Sequence, residues 1–369
     1  MFPWLLVVSS ATRERYAASG AFRPSGDRSV VATVPTSRPP SPGPLPDSPW
    51  RVKIVSTGRH LPERVETSAE LAPRLGVTEE WIVSRTGVLR RHVSDASMAE
   101  MGARAAKQAL GDGARPDLLI NASGVPHQVL PDSSVFISGA LGYSGIPSFS
   151  IHATCLSFPV AVFNAASLIQ AGGYRRILVV SSELATRGRN FDEPESAALF
   201  GDGAGAAVLE PTPEGEQSAI LGFEMATWPS GAELTEVRGG GTRQHPQDPT
   251  TLPWHNLFHM DGPRVFKMAV RRVPGPFSRL FARCKVRPEE IQVMVPHQAS
   301  GPGVAAATRF GFRAESVVNR VSEEGNCVAA SIPMGLAYAN EQGRLRRGDL
   351  VMLCGTGAGL SVLAMLIRW

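Results

Sequence analysis

Short apolar runs rich in β-branched residues alternate with longer stretches of helical period along most of this chain. Strands are predicted at 52–57, 118–122, 177–181, 204–209, 292–295 and 350–354, and helices at 98–110, 156–171, 262–273 and 331–342. This alternation predicts an α/β fold of layered helices and sheets. Residues 1–49 break the pattern and end in a stretch dense in proline. Proline blocks both helix and ladder hydrogen bonding, so 1–49 is expected to be a disordered extension and the folded region to begin near Trp50.

Composition narrows the class. A chain of 369 residues, 43% apolar and 19% charged, can bury a large core and reads as globular. A net charge of +4, with no basic run interleaved with aromatics, gives no footprint for nucleic acid. No stretch of about 18 apolar residues occurs, so no membrane span is expected. The short apolar run at 4–8 lacks the basic region that precedes a signal sequence. The cysteines, Cys155, Cys284, Cys327 and Cys354, are widely separated and form no CxxC or Cys/His spacing. Neither a disulfide framework nor a metal site is expected, and the setting is expected to be reducing and cytoplasmic.

Cys155 stands where a buried strand meets a long apolar helix. A thiol at a helix N-terminus faces the positive end of the dipole, which favours thiolate. A lone cysteine in that position is more often packing than chemistry. His297 and Asn326, each in an apolar setting far downstream, change that reading, because Cys, His and Asn together suggest acyl-thioester chemistry. All three fall at strand ends or in the following loops, where α/β proteins place their sites. Cys284, Cys327 and Cys354 read as inert apolar residues, and His127 and His152 as structural or surface histidines. The glycine-rich run at 200–208 lacks the lysine of a phosphate loop and leads into a strand, so close backbone packing at a buried hairpin is expected. Asp202 is expected to hold that turn. In a second run, 354–361, small residues would let backbone N–H groups approach a substrate.

With these residues go the motifs at 81–88, 200–209, 265–270, 295–299 and 325–333, in that order. Together they make residues 52–369 resemble the ketoacyl synthase III family, condensing enzymes of the thiolase fold. The resemblance implies two duplicated halves, 50–214 and 215–369, in a five-layer αβαβα arrangement, paired as a homodimer. It implies that Cys155 takes an acyl group from a thioester of coenzyme A or acyl carrier protein. An enolate, formed from a malonyl or second β-ketoacyl thioester beside His297 and Asn326, then attacks that group. The backbone N–H groups of Cys155 and Ala358 would form the oxyanion hole. Trp81 and Arg85 match positions that hold the nucleotide of coenzyme A, and Arg309 a position near the phosphopantetheine arm. An acidic carrier protein is the implied partner; the thioesters are substrates, and no cofactor is implied.

Three departures bear on substrate choice. Pro302 replaces an arginine that meets the carrier. Leu360 and Ser361 replace an aromatic, as in relatives that join two long acyl chains. Leu130, read as pocket lining, stands where those relatives supply a glutamate base from the partner subunit. The resulting expectation is a ketosynthase of polyketide or fatty-acid biosynthesis. Two alternatives remain open: acyl transfer from Cys155 to an alcohol or amine, and a noncatalytic dimer partner.

Overall fold

The structure, a computed structural model, describes residues 49–369. The extension at 1–49 lies outside the described residues except for its last position. Two sheets organise the rest. The first contains β1 (Val52–His60), β2 (Leu118–Asn121), β3 (Ser148–Ser150), β4 (Ile177–Leu184) and β5 (Asp202–Pro211) in the spatial order β1-β5-β4-β2-β3. The second contains β6 (Ala219–Gly231), β7 (Val293–Pro296), β8 (Leu350–Gly357) and β9 (Gly359–Arg368) in the order β7-β8-β9-β6.

The sheets share one plan. In each, a parallel pair (β2 with β4, β7 with β8) is followed by two antiparallel neighbours (β5 and β1, β9 and β6). The place that β3 takes beside β2 is marked in the second sheet by a single parallel bridge from Met294 to Val317. Every strand of the first sheet lies within 52–211 and every strand of the second within 219–368.

Side-chain alternation explains the layering. In β4, Ile177 and Val179 enter one apolar core while Leu178 and Val180 enter another. In β8, Val351 and Leu353 face the first of these cores and Met352 and Cys354 face a third. A period of two thus gives each sheet two buried faces. Helices α1 (Met98–Leu110) and α2 (Ser133–Ala140) cover the outside of the first sheet. Helices α3 (Ser157–Gln170) and α6 (Ser331–Glu341) fill the space between the sheets, and α4 (Gly262–Arg272) and α5 (Pro274–Cys284) cover the outside of the second. The result is the five-layer αβαβα arrangement. Both central helices are apolar nearly all round, as a helix between two sheets must be. No helix among the described residues is long and apolar enough to cross a membrane.

The glycine-rich run lies inside β5, paired on both sides, and not at a hairpin. Close backbone packing is nevertheless its role. A Cβ on Gly205 would stand 2.7 Å from both the Met334 N and the Pro333 Cβ at the start of α6. Asp202 does not hold the glycine turn; its carboxylate accepts from Ser94 N at 2.9 Å, Thr186 N at 2.9 Å and Thr186 Oγ1 at 2.8 Å, tying two other loops to β5. Gly205→Ala should therefore lower stability by about 1–3 kcal/mol, the cost of overpacking a close-packed core. Urea unfolding checks this, and an unchanged midpoint would contradict the packing described.

Candidate active site

The site forms where three loops meet the C-terminal end of β8. The first joins β3 to α3. Thr154 takes a left-handed φ of 52°, unusual for a β-branched residue, and this sharp turn puts Cys155 on the corner. Ser157 Oγ stabilises the turn by accepting from Ala153 N at 2.9 Å and donating to Thr154 O at 2.7 Å. Behind it, Asn121 Nδ2 donates to Ser150 Oγ at 2.9 Å, fixing β3 against β2. Cys155 remains partly accessible while the next residue, Leu156, is fully buried.

His297 follows β7, and its N–H continues the parallel ladder to Cys354 O at 2.8 Å. Gln298 locks this turn: its Nε2 donates to Pro296 O and Val318 O at 2.8 and 3.0 Å, and its Oε1 accepts from Arg320 N at 2.7 Å. Asn326 arrives on the third loop. Its Nδ2 donates to Ala299 O at 3.3 Å and its Oδ1 accepts from Val328 N at 2.9 Å. The amide is thus oriented by the histidine loop itself.

Two glycines of β8 let these loops converge. A Cβ on Gly355 would stand 2.6 Å from His297 Cβ, and one on Gly357 would stand 2.6 Å from Thr154 Oγ1. Residues two apart in a strand share a face. His297 and the cysteine turn therefore sit side by side over the end of β8. Ala358 is the turn residue joining β8 to β9, adjacent to the glycine that touches Thr154.

Burial dominates the electrostatics. It lowers the His297 pKa to about 4, so the imidazole is neutral near pH 7 and offers one N–H. Nδ1 is buried without a partner. Burial, together with the Glu183 carboxylate, pushes the Cys155 thiol up to about 12. This corrects the expectation of a resting thiolate: α3 begins at Ser157, two residues beyond the sulfur, and desolvation outweighs its dipole.

Glu183 was not anticipated. It is the next-to-last residue of the apolar strand β4, is 1% exposed, and accepts from the backbone N–H of Gly124, beside the cysteine turn. Backbone N–H groups of Val125 and Ala329 also favour its charged form, yet burial pushes its own pKa up to about 8. Its sequence signal is a lone carboxylate near the end of an otherwise uncharged strand.

A cavity of about 460 Å³ opens beside His297, with Arg85, Thr86, Phe266 and Pro302 also on its wall. Cys155, Trp81, Arg309 and Leu130 are not on that wall. Trp81 packs against the apolar cluster that contains Leu71 and Ile82. Arg309 is exposed one residue before Phe310, which does line the cavity. Leu130 is 79% exposed, so within this chain it lines nothing. His152 hydrogen-bonds Gly124 O at 2.9 Å, and His127 packs on the Phe136 ring. The described residues contain no group of side chains able to hold a metal ion.

This double-sheet fold with cysteine, histidine and asparagine at one strand end defines a condensing acyltransferase of the thiolase fold. Family models described as 3-oxoacyl-[acyl-carrier-protein] synthase III and its C-terminal region match residues 149–229 and 281–369. The β-ketoacyl-[acyl-carrier-protein] synthase III of Desulfitobacterium hafniense is 34% identical over 325 residues, spanning 86% of this chain and 98% of the relative. The crystal structure of 3-oxoacyl-(acyl carrier protein) synthase III from Pseudomonas aeruginosa superposes with a TM-score of 0.78 at 32% identity, covering 86% and 98% of the two chains. The priming β-ketosynthase of the R1128 polyketide pathway superposes with a TM-score of 0.78 at 27% identity, covering 88% and 98%. The chain belongs to the 3-oxoacyl-[acyl-carrier-protein] synthase III family.

Because the thiol is protonated at rest, alkylation of Cys155 by iodoacetamide should accelerate continuously from pH 7 to about pH 10. A rate that levels off below pH 8 would mean that the turn stabilises thiolate after all.

Proposed function

We propose that the protein is a ketosynthase that forms a carbon–carbon bond by Claisen condensation in polyketide or fatty-acid biosynthesis. The observation that carries this reading is the convergence of Cys155, His297 and Asn326 over the Gly355–Gly357 segment. Cys155 attacks the carbonyl of an acyl thioester of coenzyme A or a carrier protein, the thiol proton passing to the departing thiolate. The backbone N–H groups of Cys155 and Ala358 stabilise the oxyanion. A malonyl thioester then loses CO2, and its enolate oxygen accepts hydrogen bonds from the neutral His297 ring and the Asn326 amide. The new C–C bond forms as the C–S bond to Cys155 breaks.

A histidine with its pKa lowered to about 4 is a weak base but a good neutral donor, which favours this reading over base-assisted transfer to an alcohol or amine. An asparagine suits the enolate because it donates without ionising. Arg85, an exposed residue on the cavity wall, would meet a phosphate of coenzyme A, with Trp81 on the same short helix. Arg309 lies on the neighbouring surface, open to a carrier protein. All four cysteines are unpaired, in keeping with a reducing cytoplasmic setting.

Intact mass spectrometry after incubation with a panel of acyl thioesters should show one acyl group on wild type and none on Cys155→Ala. Asn326→Ala should still acquire the acyl group but lose about a hundredfold or more in condensation rate. Loss of acylation in Asn326→Ala, or full condensation without the amide, would count against these roles.

The working unit is proposed to be a homodimer. Strand β3 is the edge of its sheet, and Val125, Val129, Leu130 and Phe149 leave an apolar surface beside it. Leu130 would then line the partner's site. Phe149→Asp should shift the species seen by light scattering from twice the chain mass to once; a wild-type monomer would refute the pairing.

A further inference from the structure

Glu66, Arg91 and Arg189 form a buried ionic group that the reaction described above does not use. Arg189 Nη1 donates to Glu66 Oε2 at 2.6 Å, and Arg91 Nη1 stands 4.0 Å from the same oxygen. Burial, helped by the neighbouring Arg189, lowers the Arg91 pKa only to about 10, so that guanidinium stays charged near pH 7. A buried ionic group of this kind is a poor source of stability, because apolar side chains of similar volume often serve as well or better. Apolar side chains could not, however, donate hydrogen bonds.

Both arginines aim a second arm at one stretch of main chain. Arg91 Nη2 donates to Ala198 O at 3.1 Å and Arg189 Nη2 to Phe200 O at 2.8 Å. That stretch, 198–201, carries the backbone of Asn326. Asn326 N donates to Leu199 O at 2.8 Å and Gly201 N donates to Asn326 O at 3.2 Å, which makes a parallel bridge between Phe200 and Asn326. The contact is backbone on backbone: a Cβ on Gly325 would stand 2.6 Å from Leu199 O, and one on Gly201 would collide with Glu324 O. No side chain cushions a shift there, so Asn326 moves with the stretch that carries it. The cysteine turn is held by other groups, Ser157 and, through Gly124 O, His152.

We propose that Arg189 is a positioning residue for condensation: its guanidinium fork, anchored on Glu66, fixes the 198–201 stretch and through it the Asn326 amide. The inference rests on the condensing reading above, in which that amide holds the enolate. A guanidinium fork reaches two acceptors at a fixed spacing, whereas a lysine ammonium in its place is a single point charge on a flexible stem. Loss of the arm to Phe200 O frees the stretch while the charge opposite Glu66 is kept. A shift of about 1 Å in the amide weakens its hold on the enolate, and acyl transfer to Cys155, which does not use the amide, is unaffected.

The test is a double-mutant cycle of Arg189→Lys and Asn326→Ala, read on the two half reactions separately. Acylation of Cys155 is followed by intact mass spectrometry, and condensation by turnover of the acylated protein with malonyl-CoA. Arg189→Lys should acylate within about twofold of the wild-type rate, while kcat for condensation falls by about tenfold or more and KM for malonyl-CoA changes by less than about twofold. In the Asn326→Ala background the same substitution should lower condensation by less than about twofold, since the amide that it positions is gone. Glu66→Gln keeps an acceptor for Arg189 and removes only the charge; it should give the same pattern with a smaller loss, and it takes the place of the first variant if that one does not fold. An unchanged kcat in both variants, an equal fall in acylation and condensation, or the full tenfold loss added to Asn326→Ala would overturn the inference and leave the ketosynthase reading standing. Full condensation by Asn326→Ala, or no acyl adduct on wild type, would sink both readings together.

Discussion

Everything in this site depends on backbone passing close to backbone at the end of β8. The cysteine turn comes from the first sheet and the histidine loop from the second, and they share one strand end only because positions 355 and 357 have no side chain. Even a methyl group there would meet His297 Cβ or Thr154 Oγ1 at 2.6 Å. The same device recurs behind the site, where Gly205 admits the start of α6 against β5. Close approach of this kind fixes distances more firmly than flexible side chains could, which a reaction between two bound thioesters requires.

Burial then sets the chemistry that the geometry allows. A neutral His297 and an uncharged Asn326 offer donors without bringing a positive charge into an apolar interior, where it would be costly. The protonated thiol of Cys155 is the counterpart. Burial and the nearby Glu183 hold the sulfur neutral, and in the proposed reaction its proton passes to the departing thiolate. Desolvation outweighs the helix dipole here because the sulfur lies ahead of the first helical residue, and a terminus acts strongly only within its own turn.

The two sheets explain how one chain assembles such a centre. They repeat the same strand order and direction, and α3 and α6 occupy matching places between them. The cysteine precedes α3, and Asn326 precedes α6. His297 follows β7, the counterpart of β2 in the other sheet. Duplication thus sets two equivalent loop systems facing each other, one carrying Cys155 and the other His297 and Asn326, the nucleophile and the donors of the proposed reaction. The cavity beside His297 is walled by residues of both halves, among them Arg85 and Thr86 from the first and Phe266 and Pro302 from the second.

Much of this was determined by sequence. The alternation of apolar runs located strands such as Ile177–Leu184 and helices such as Met98–Leu110, because burial on two faces leaves a local signature. The motifs around Cys155, His297 and Asn326 pointed to the chemistry, since each residue type is costly in its apolar setting unless used. Strands Ala219–Gly231 and Gly359–Arg368 were not anticipated. Their pairing partners are distant in the chain, and pairing is what makes them strands. Only the tertiary structure decided that Asp202 ties Ser94 and Thr186, that Glu183 stands near the sulfur, and that Leu130 is exposed and off the cavity wall of its own chain. Proton affinity and cavity shape depend on which groups surround a side chain from every direction. A linear sequence records only the neighbours along the chain, so these properties appear only once the sheets have closed around the site.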